Sequence, residues 1–329
     1  MRMNFHGFFG HLFHRPTDRT ADHQIMTPLL IRLWKSVEQR VMSITVAGMF
    51  LGLLADVLIA SRLGASQTTD AVIIALSFPL FFDLIGREGT KFSMVPMFIE
   101  RQTTQNQESY NHFASGTINA SLLFGALISF LVEISAPGII SVLAPGFTPE
   151  AREQATYYLR IASPIIIFSA GSSVLSVLLT SYNRFNMVAL RNAIIPLLIL
   201  LMCGLRQSRT AFAFWLICSY TAGSAIFFLL LIYEAKNEGY AHRWIVLPKK
   251  NDLLQIMNSI SLPSLGFILR QGTRLVEWMI ASLVSVGGVA TYYFAFRLFS
   301  SFQTVICNSL AVTNMPKLSL LMLSDDTSG

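Results

Sequence analysis

The chain has 329 residues, of which 53% are hydrophobic and only 13% charged. Soluble domains carry about 25% charged residues, so the composition excludes a soluble globular domain and points to an all-α polytopic membrane protein. The net charge of +6 is no nucleic-acid signature, because most Lys and Arg flank apolar runs, where they set topology.

Residues 1–40 are polar and His-rich. They lack the order of basic region, apolar core and small-residue cleavage site that marks a signal peptide. Either they form a cytoplasmic tail, or Met26 is the start. His6, His11, His14 and His23 are irregularly spaced and have no neighbouring Cys, which argues against a metal site. Eight apolar segments follow, at roughly 41–62, 69–99, 113–135, 154–181, 187–204, 210–233, 258–285 and 289–320. Their length and lack of a two-residue period exclude a membrane barrel.

Segment 1 holds Asp56, an acid too short to reach the interface from mid-helix. Segment 2 holds Pro79 and Pro96, and between them Gly86 and Gly89 with Asp83, Arg87, Glu88 and Lys91. Helical spacing predicts Asp83–Arg87 and Glu88–Lys91 pairs. The prolines predict a bent or broken helix, which lipid tolerates only against protein or a cavity. A self-neutralising ion-pair set and a gate are both consistent with this patch. In segment 4 Arg160 is expected to snorkel, and the small residues Ser169 to Ser173 to pack against a neighbouring helix. Cys203, Cys218 and Cys307 are scattered in or beside apolar runs, as core residues would be.

The polar stretch 234–252 separates six segments from a following pair. The division expected is an N-terminal tail (1–40), a six-helix lobe (41–233), a cytoplasmic linker (234–257), the first two helices of a second lobe (258–320) and a polar tail (321–329). Lys and Arg cluster in the N-terminal tail, in alternate loops and at Lys317, which places both termini in the cytoplasm. Segment 7 carries Arg270, Arg274 and Glu277 at spacings of four and three, hence on one helical stripe. Glu277 could neutralise Arg274. One positive charge is then left over, and intramembrane charge is costly, so the stripe is expected to form a net-positive cavity wall. Segment 8 carries Arg297. There is no P-loop, dinucleotide fingerprint or zinc spacing, so no enzymatic activity, cofactor or metal is expected.

The strings GASQTTDAVIIALSFPLF, REGTKFSMVP, LAPGF, LRIASPIIIFSAGSSVLSVLLTSYNRF and YYFAFRL with PKLS occur in this order between about Ser43 and Ser319. Together they resemble the MurJ/MviN lipid II flippases of the multidrug/oligosaccharidyl-lipid/polysaccharide exporter superfamily. The resemblance implies two helical lobes around a central cavity, with export of an undecaprenyl-linked peptidoglycan precursor by alternating access. Ion or membrane potential would drive it, in a bacterial cytoplasmic membrane. The partners it implies are a lipid-linked oligosaccharide diphosphate and membrane lipids. Asp56, Asp70, Glu88, Asn183, Arg184 and Arg297 match family positions. Arginines expected in helix 1 fall at about Met49 and Ala55, an arginine pair in helix 2 at about Asp83 and Leu84, and an acid of the helix 8 motif at Phe296. The family is expected to continue for about six more helices, so a second chain could supply them. The alternatives are a flippase of exopolysaccharide or O-antigen units and a non-transporting membrane scaffold. Arg270 and Arg274 are expected to replace the helix 1 arginines in a substrate cavity shared with Asp56 and Arg297.

Overall fold

The structure is a computed structural model, described here for residues 23–203, 208–243, 245 and 247–300. The N-terminal histidines other than His23, the end of segment 8 with Cys307 and Lys317, and the tail 321–329 lie outside the described residues. All the regular structure described is helical: α1 (His23–Leu63), α2 (Gln67–Thr104), α3 (Gln107–Leu143), α4 (Pro149–Ala162), α5 (Ile165–Ser181), α6 (Phe185–Ala189), α7 (Arg191–Cys203), α8 (Arg209–Asn237) and α9 (Lys250–Val284). A further helix, α10, starts at residue 288 and is described to 300. The chain from Ile44 onward is one compact unit, and the contacts below lie within it.

Six of the described helical stretches are long and apolar enough to cross a membrane. A seventh is the pair Asn251–Ser261 and Pro263–Val284, bent by 42°. The protein is thus a polytopic all-α membrane protein. The first seven expected segments coincide with these stretches, and the eighth with the start of α10. Segment 4 is two helices, because Pro164 has no N–H to give and Ser163 turns its hydroxyl onto Arg160 O at 2.9 Å. The polar connection is shorter than the expected linker 234–257, since α8 runs to Asn237 and α9 begins at Lys250.

Local chemistry explains the helix ends. Ser66, Asn106, Thr148 and Ser208 accept from the backbone N–H three residues on and so cap α2, α3, α4 and α8. Asn183 closes α5 in the left-handed region, at φ 59°, which Asn tolerates better than most residues. Its N–H reaches Thr180 O, and Arg184 N–H reaches Leu179 O at 2.8 Å, the paired bonds of a Schellman end. The NRF string is therefore a helix stop.

Two apolar cores stack along the bundle. One gathers Ile59, Leu63, Ile74, Ile140, Leu159, Ile165 and Leu216. The other gathers Phe98, Tyr110, Phe113, Leu178, Phe227 and Leu231. α9 runs antiparallel along α2, with Gly89 beside Ser264 near mid-length and Arg101 bound to Asp252 at 2.8 Å at one end. The connection between α8 and α9 is strapped to α3. Tyr240 OH meets Ser115 Oγ at 2.9 Å, Asn119 donates to Ile245 O at 2.7 Å, and Arg243 pairs with Glu108 at 2.9 Å. Burial pushes the Tyr240 phenol up to about 12, so it stays a neutral hydrogen-bonding group.

At the opposite end three turns converge. Gly146 of the APGF string lies so close to α9 that an added Cβ would sit 2.1 Å from Ser282 O, and one on Gly287 (φ 82°) would sit 2.8 Å from Ala65 O. Gly146→Ala must push two backbones apart, a strain of about 1–3 kcal/mol. A lower melting temperature of the purified protein in detergent is expected. Gly138→Ala, where nothing lies within 4 Å of the new methyl, should leave that temperature unchanged or raise it.

Candidate functional site

The centre of the bundle carries charge. Asp83 of α2 forms an ion pair with Arg191, the first residue of α7, and accepts from Ser169 Oγ of α5 at 2.6 Å. Both charged residues are buried, at 6% and 9% exposure. The Arg191 guanidinium also lies 5.4 Å over the Phe227 ring of α8. This layer separates the two apolar cores. The expected Asp83–Arg87 pair gives way here: Arg87 pairs at 3.6 Å with Glu88 instead, and both of these side chains are partly exposed. A carboxylate turned into the bundle takes the cation that reaches it from a neighbouring helix, not the one a turn away on its own surface. Sequence reading did not single out Arg191. Its position at the head of an apolar run was the only available signal.

The second centre joins α1 to α10. Arg297 Nε donates to Asp56 Oδ2 at 2.7 Å, and Tyr293 OH donates to Asp56 Oδ1 at 3.4 Å. The Asp56 side chain is 13% exposed and Arg297 49%, so the pair is open on the arginine side. Two residues singled out separately in the sequence are therefore partners.

The α9 stripe lies beside α10. Glu277 accepts from Tyr292 OH at 2.5 Å and makes no ion pair within 4.0 Å of Arg274, but its charge still offsets that of Arg274. Arg274 lies 4.5 Å over the Phe296 ring, and Arg270 lies 5.2 Å over Phe267. Arg274 is close enough to both Arg270 and Arg297 to feel their charges.

The remaining motif residues hold the frame. Asp70 Oδ2 accepts from Gly287 N–H at 2.6 Å and Oδ1 from Ala290 N–H at 2.7 Å, which caps α10 from across the bundle. Nothing in the local spacing around Asp70 revealed this. Arg184 pairs with Glu238 at 2.5 Å and Glu234 at 3.8 Å, tying the end of α5 to the end of α8. Arg160, expected to snorkel, lies 3.9 Å from Glu133. Among the described residues no group of three or more His, Cys, Asp or Glu could hold a metal ion.

The helical bundle has counterparts among solved structures. The solved structures it is similar to include one described as lipid II flippase MurJ in an inward closed conformation, with TM-score 0.67 and 22% identity over 78% of this chain and 54% of that one. A second is a MOP-superfamily transporter from Pyrococcus furiosus, with TM-score 0.60 and 18% identity over 82% of this chain and 61% of that one. At such identities the likeness speaks for the fold. The chain belongs to the lipid II flippase MurJ family, whose sequence model matches residues 59–328. A probable lipid II flippase MurJ of Buchnera aphidicola from Acyrthosiphon pisum is 28% identical over 81% of this chain and 55% of its own length. That of Thermotoga maritima is 23% identical over 75% and 50%. The chain thus spans about half the length of the curated relatives it matches.

Removing one partner of the central pair strands a buried charge, which costs about 3–5 kcal/mol. Asp83→Ala and Arg191→Ala should each lower the melting temperature sharply. The double variant Asp83→Leu/Arg191→Met, apolar and of similar volume, should recover most of the loss. Equal destabilisation by single and double variants would show that the pair is not the central constraint.

Proposed function

We propose that this chain forms the first lobe, and the start of the second, of a flippase that moves a lipid-linked saccharide diphosphate such as lipid II across a bacterial cytoplasmic membrane. Family membership supports the substrate class. The observation that carries the reading is the Asp56–Arg297 pair: an open, charged contact inside the membrane between the first helix of one lobe and α10 of the next. Lipid does not tolerate such a contact, whereas a polar translocation path requires one. Arg270 and Arg274 line the same path. Asp83, Arg87, Glu88 and Glu277 brace it, with the first of them committed to the bundle. Asp70, Asn183 and Arg184 fix helix ends around it. Helices beyond this half, on this or another polypeptide, complete the wall.

Both termini face the cytoplasm in this reading, with the α1–α2, α3–α4 and α9–α10 turns on the far side. Those three turns are packed together around Gly146 and Asp70, which corresponds to a path closed at its outer end. The six-helix lobe, its strapped linker and the two following helices are the moving parts of an alternating-access cycle.

Reporter fusions after residues 110, 240 and 329 are expected to signal cytoplasm, and a fusion after 145 the opposite side. A periplasmic signal at 240 defeats the six-plus-two arrangement. Proteoliposomes holding the protein should expose labelled lipid II to an outside enzyme faster than empty ones. Arg297→Ala should slow this by at least about tenfold, the equivalent of one 1.4 kcal/mol interaction. No acceleration over empty vesicles by the wild-type chain would defeat the flippase reading.

A further inference from the structure

The proposed path makes no use of one charged pair, Glu133 of α3 and Arg160 of α4. It lies on the outside of the bundle. Around Glu133, the side chains of Phe130, Leu131 and Ile134 are all exposed, as apolar groups facing acyl chains are. Helix length fixes the depth. α3 has 37 residues and rises about 55 Å, about 25 Å more than a hydrocarbon core about 30 Å thick. Shared between the two ends, that excess puts each edge of the core about 12 Å from a helix end. Glu133 is about 15 Å from the Leu143 end of α3, and Arg160 about 16 Å from the Pro149 end of α4. Both therefore lie within one turn of the core's edge on the side of the α3–α4 turn. Beyond that edge α4 exposes Glu150, Glu153 and Tyr157, a stripe suited to the head-group layer, where tyrosines settle.

An arginine at this depth can snorkel, but the short stem of a glutamate reaches less far. Glu133 is held in place besides. The Ser163 hydroxyl is shared between Glu133 Oε2 at 3.1 Å and Arg160 O at 2.9 Å. Arg160 Nε stands 3.9 Å from Glu133 Oε1, beyond hydrogen-bond length. The side chains are 47% and 49% exposed. An acid and a base thus lie side by side at the edge of the core, and neither closes off the other. We propose that Glu133 and Arg160 form a site for the head group of a phospholipid that carries a primary ammonium beside its phosphate, as phosphatidylethanolamine does. The Arg160 fork takes phosphate oxygens, the Glu133 carboxylate accepts from the ammonium N–H groups, and Phe130 and Ile134 lie against the acyl chains. The complement is a pair of opposite charges, not a net charge. Phosphatidylglycerol gains at Arg160 and offers Glu133 no cation. The ammonium of phosphatidylcholine has no N–H to donate, so it meets Glu133 as a charge alone. The site lies on the lipid-facing surface, and its occupation does not depend on the flippase reading.

The test is native mass spectrometry of the full chain, stripped of lipid in detergent and titrated with phosphatidylethanolamine, phosphatidylcholine and phosphatidylglycerol of identical acyl chains. The wild-type chain should bind its first phosphatidylethanolamine at least about threefold more tightly than either of the others. Glu133→Gln keeps the shape and removes the charge, and should bring phosphatidylethanolamine down to the level of phosphatidylcholine. Arg160→Gln should weaken all three lipids, since all three carry the phosphate. Glu153→Gln, on the polar stripe but away from the pair, should keep the wild-type preference. Both members of the pair are half exposed, so their variants should melt as the wild type does. If Glu133→Gln fails to fold, Glu133→Asp, which keeps the charge and shortens the reach, is read in its place and should lose the preference too. A wild-type chain without the preference overturns the proposal, as does a preference that survives at Glu133 in the variant read. Phosphatidylglycerol bound as tightly as phosphatidylethanolamine marks a purely cationic contact and overturns it as well.

Discussion

The ion pair between Asp83 and Arg191 is the constraint around which the bundle is arranged. It sits between two apolar cores, so α2, α5, α7 and α8 must all meet at that level: α2 brings the acid, α5 the hydroxyl of Ser169, α7 the guanidinium and α8 the Phe227 ring beneath it. A buried pair need not stabilise more than apolar side chains of the same size would. What it does is penalise every arrangement in which the partners miss each other. Gly86 follows from this, because a Cβ there would lie 3.2 Å from Ser173 Oγ of α5.

The second set of constraints joins the six-helix lobe to the helices that follow. α9 and the turn into α10 touch α2 at three levels, and the levels differ in kind. One end is held by an ion pair, Arg101–Asp252, and the other by two backbone N–H groups donating to Asp70. Between them Gly89 and Ser264 meet by close packing of small groups. Polar contacts at the ends can be exchanged for water when an end opens. The middle contact buries little polarity and gains nothing from opening. A rocking motion about the middle level, releasing one end at a time, is what such a distribution permits.

The apolar helices were legible in the sequence because long apolar runs are a local signal, whereas the Ser, Asn and Thr caps and the split of segment 4 at Pro164 were not read from it. The charged stripe of α9 was legible for the same reason, since spacings of three and four fix a face. The partners were not. Periodicity pairs Asp83 with Arg87, a turn away, and cannot see Arg191, which is 108 positions distant. It sets Glu277 against Arg274, whose charge Glu277 does offset, but cannot see the Tyr292 hydroxyl of α10 that Glu277 accepts from. Asp70 looked like a first-turn acid of its own helix, and its carboxylate serves another helix 217 residues on. Long-range choice among equivalent partners is set by packing, which one-dimensional spacing does not contain.

The substitutions relative to the family pattern make physical sense together. An arginine pair is expected near positions 83 and 84, and here the sign at 83 is reversed. In the proposed path, an exposed acid would repel an anionic substrate. Asp83 is instead turned into the bundle, neutralised by Arg191 and removed from the path. The positions in α1 at which cations are expected hold Met49 and Ala55, the latter buried at 2% exposure, so that helix presents Asp56 alone and Arg297 answers it. On the proposed reading, Arg270 and Arg274 of α9 take over as the cations beside the Asp56–Arg297 pair. Phe296, where an acid is expected, lies under the Arg274 guanidinium, and Glu277 is the acid that offsets that charge. On that reading the positive field of the path comes from a different helix than the family pattern expects, since it is the summed field, not the position generating it, that attracts an anion.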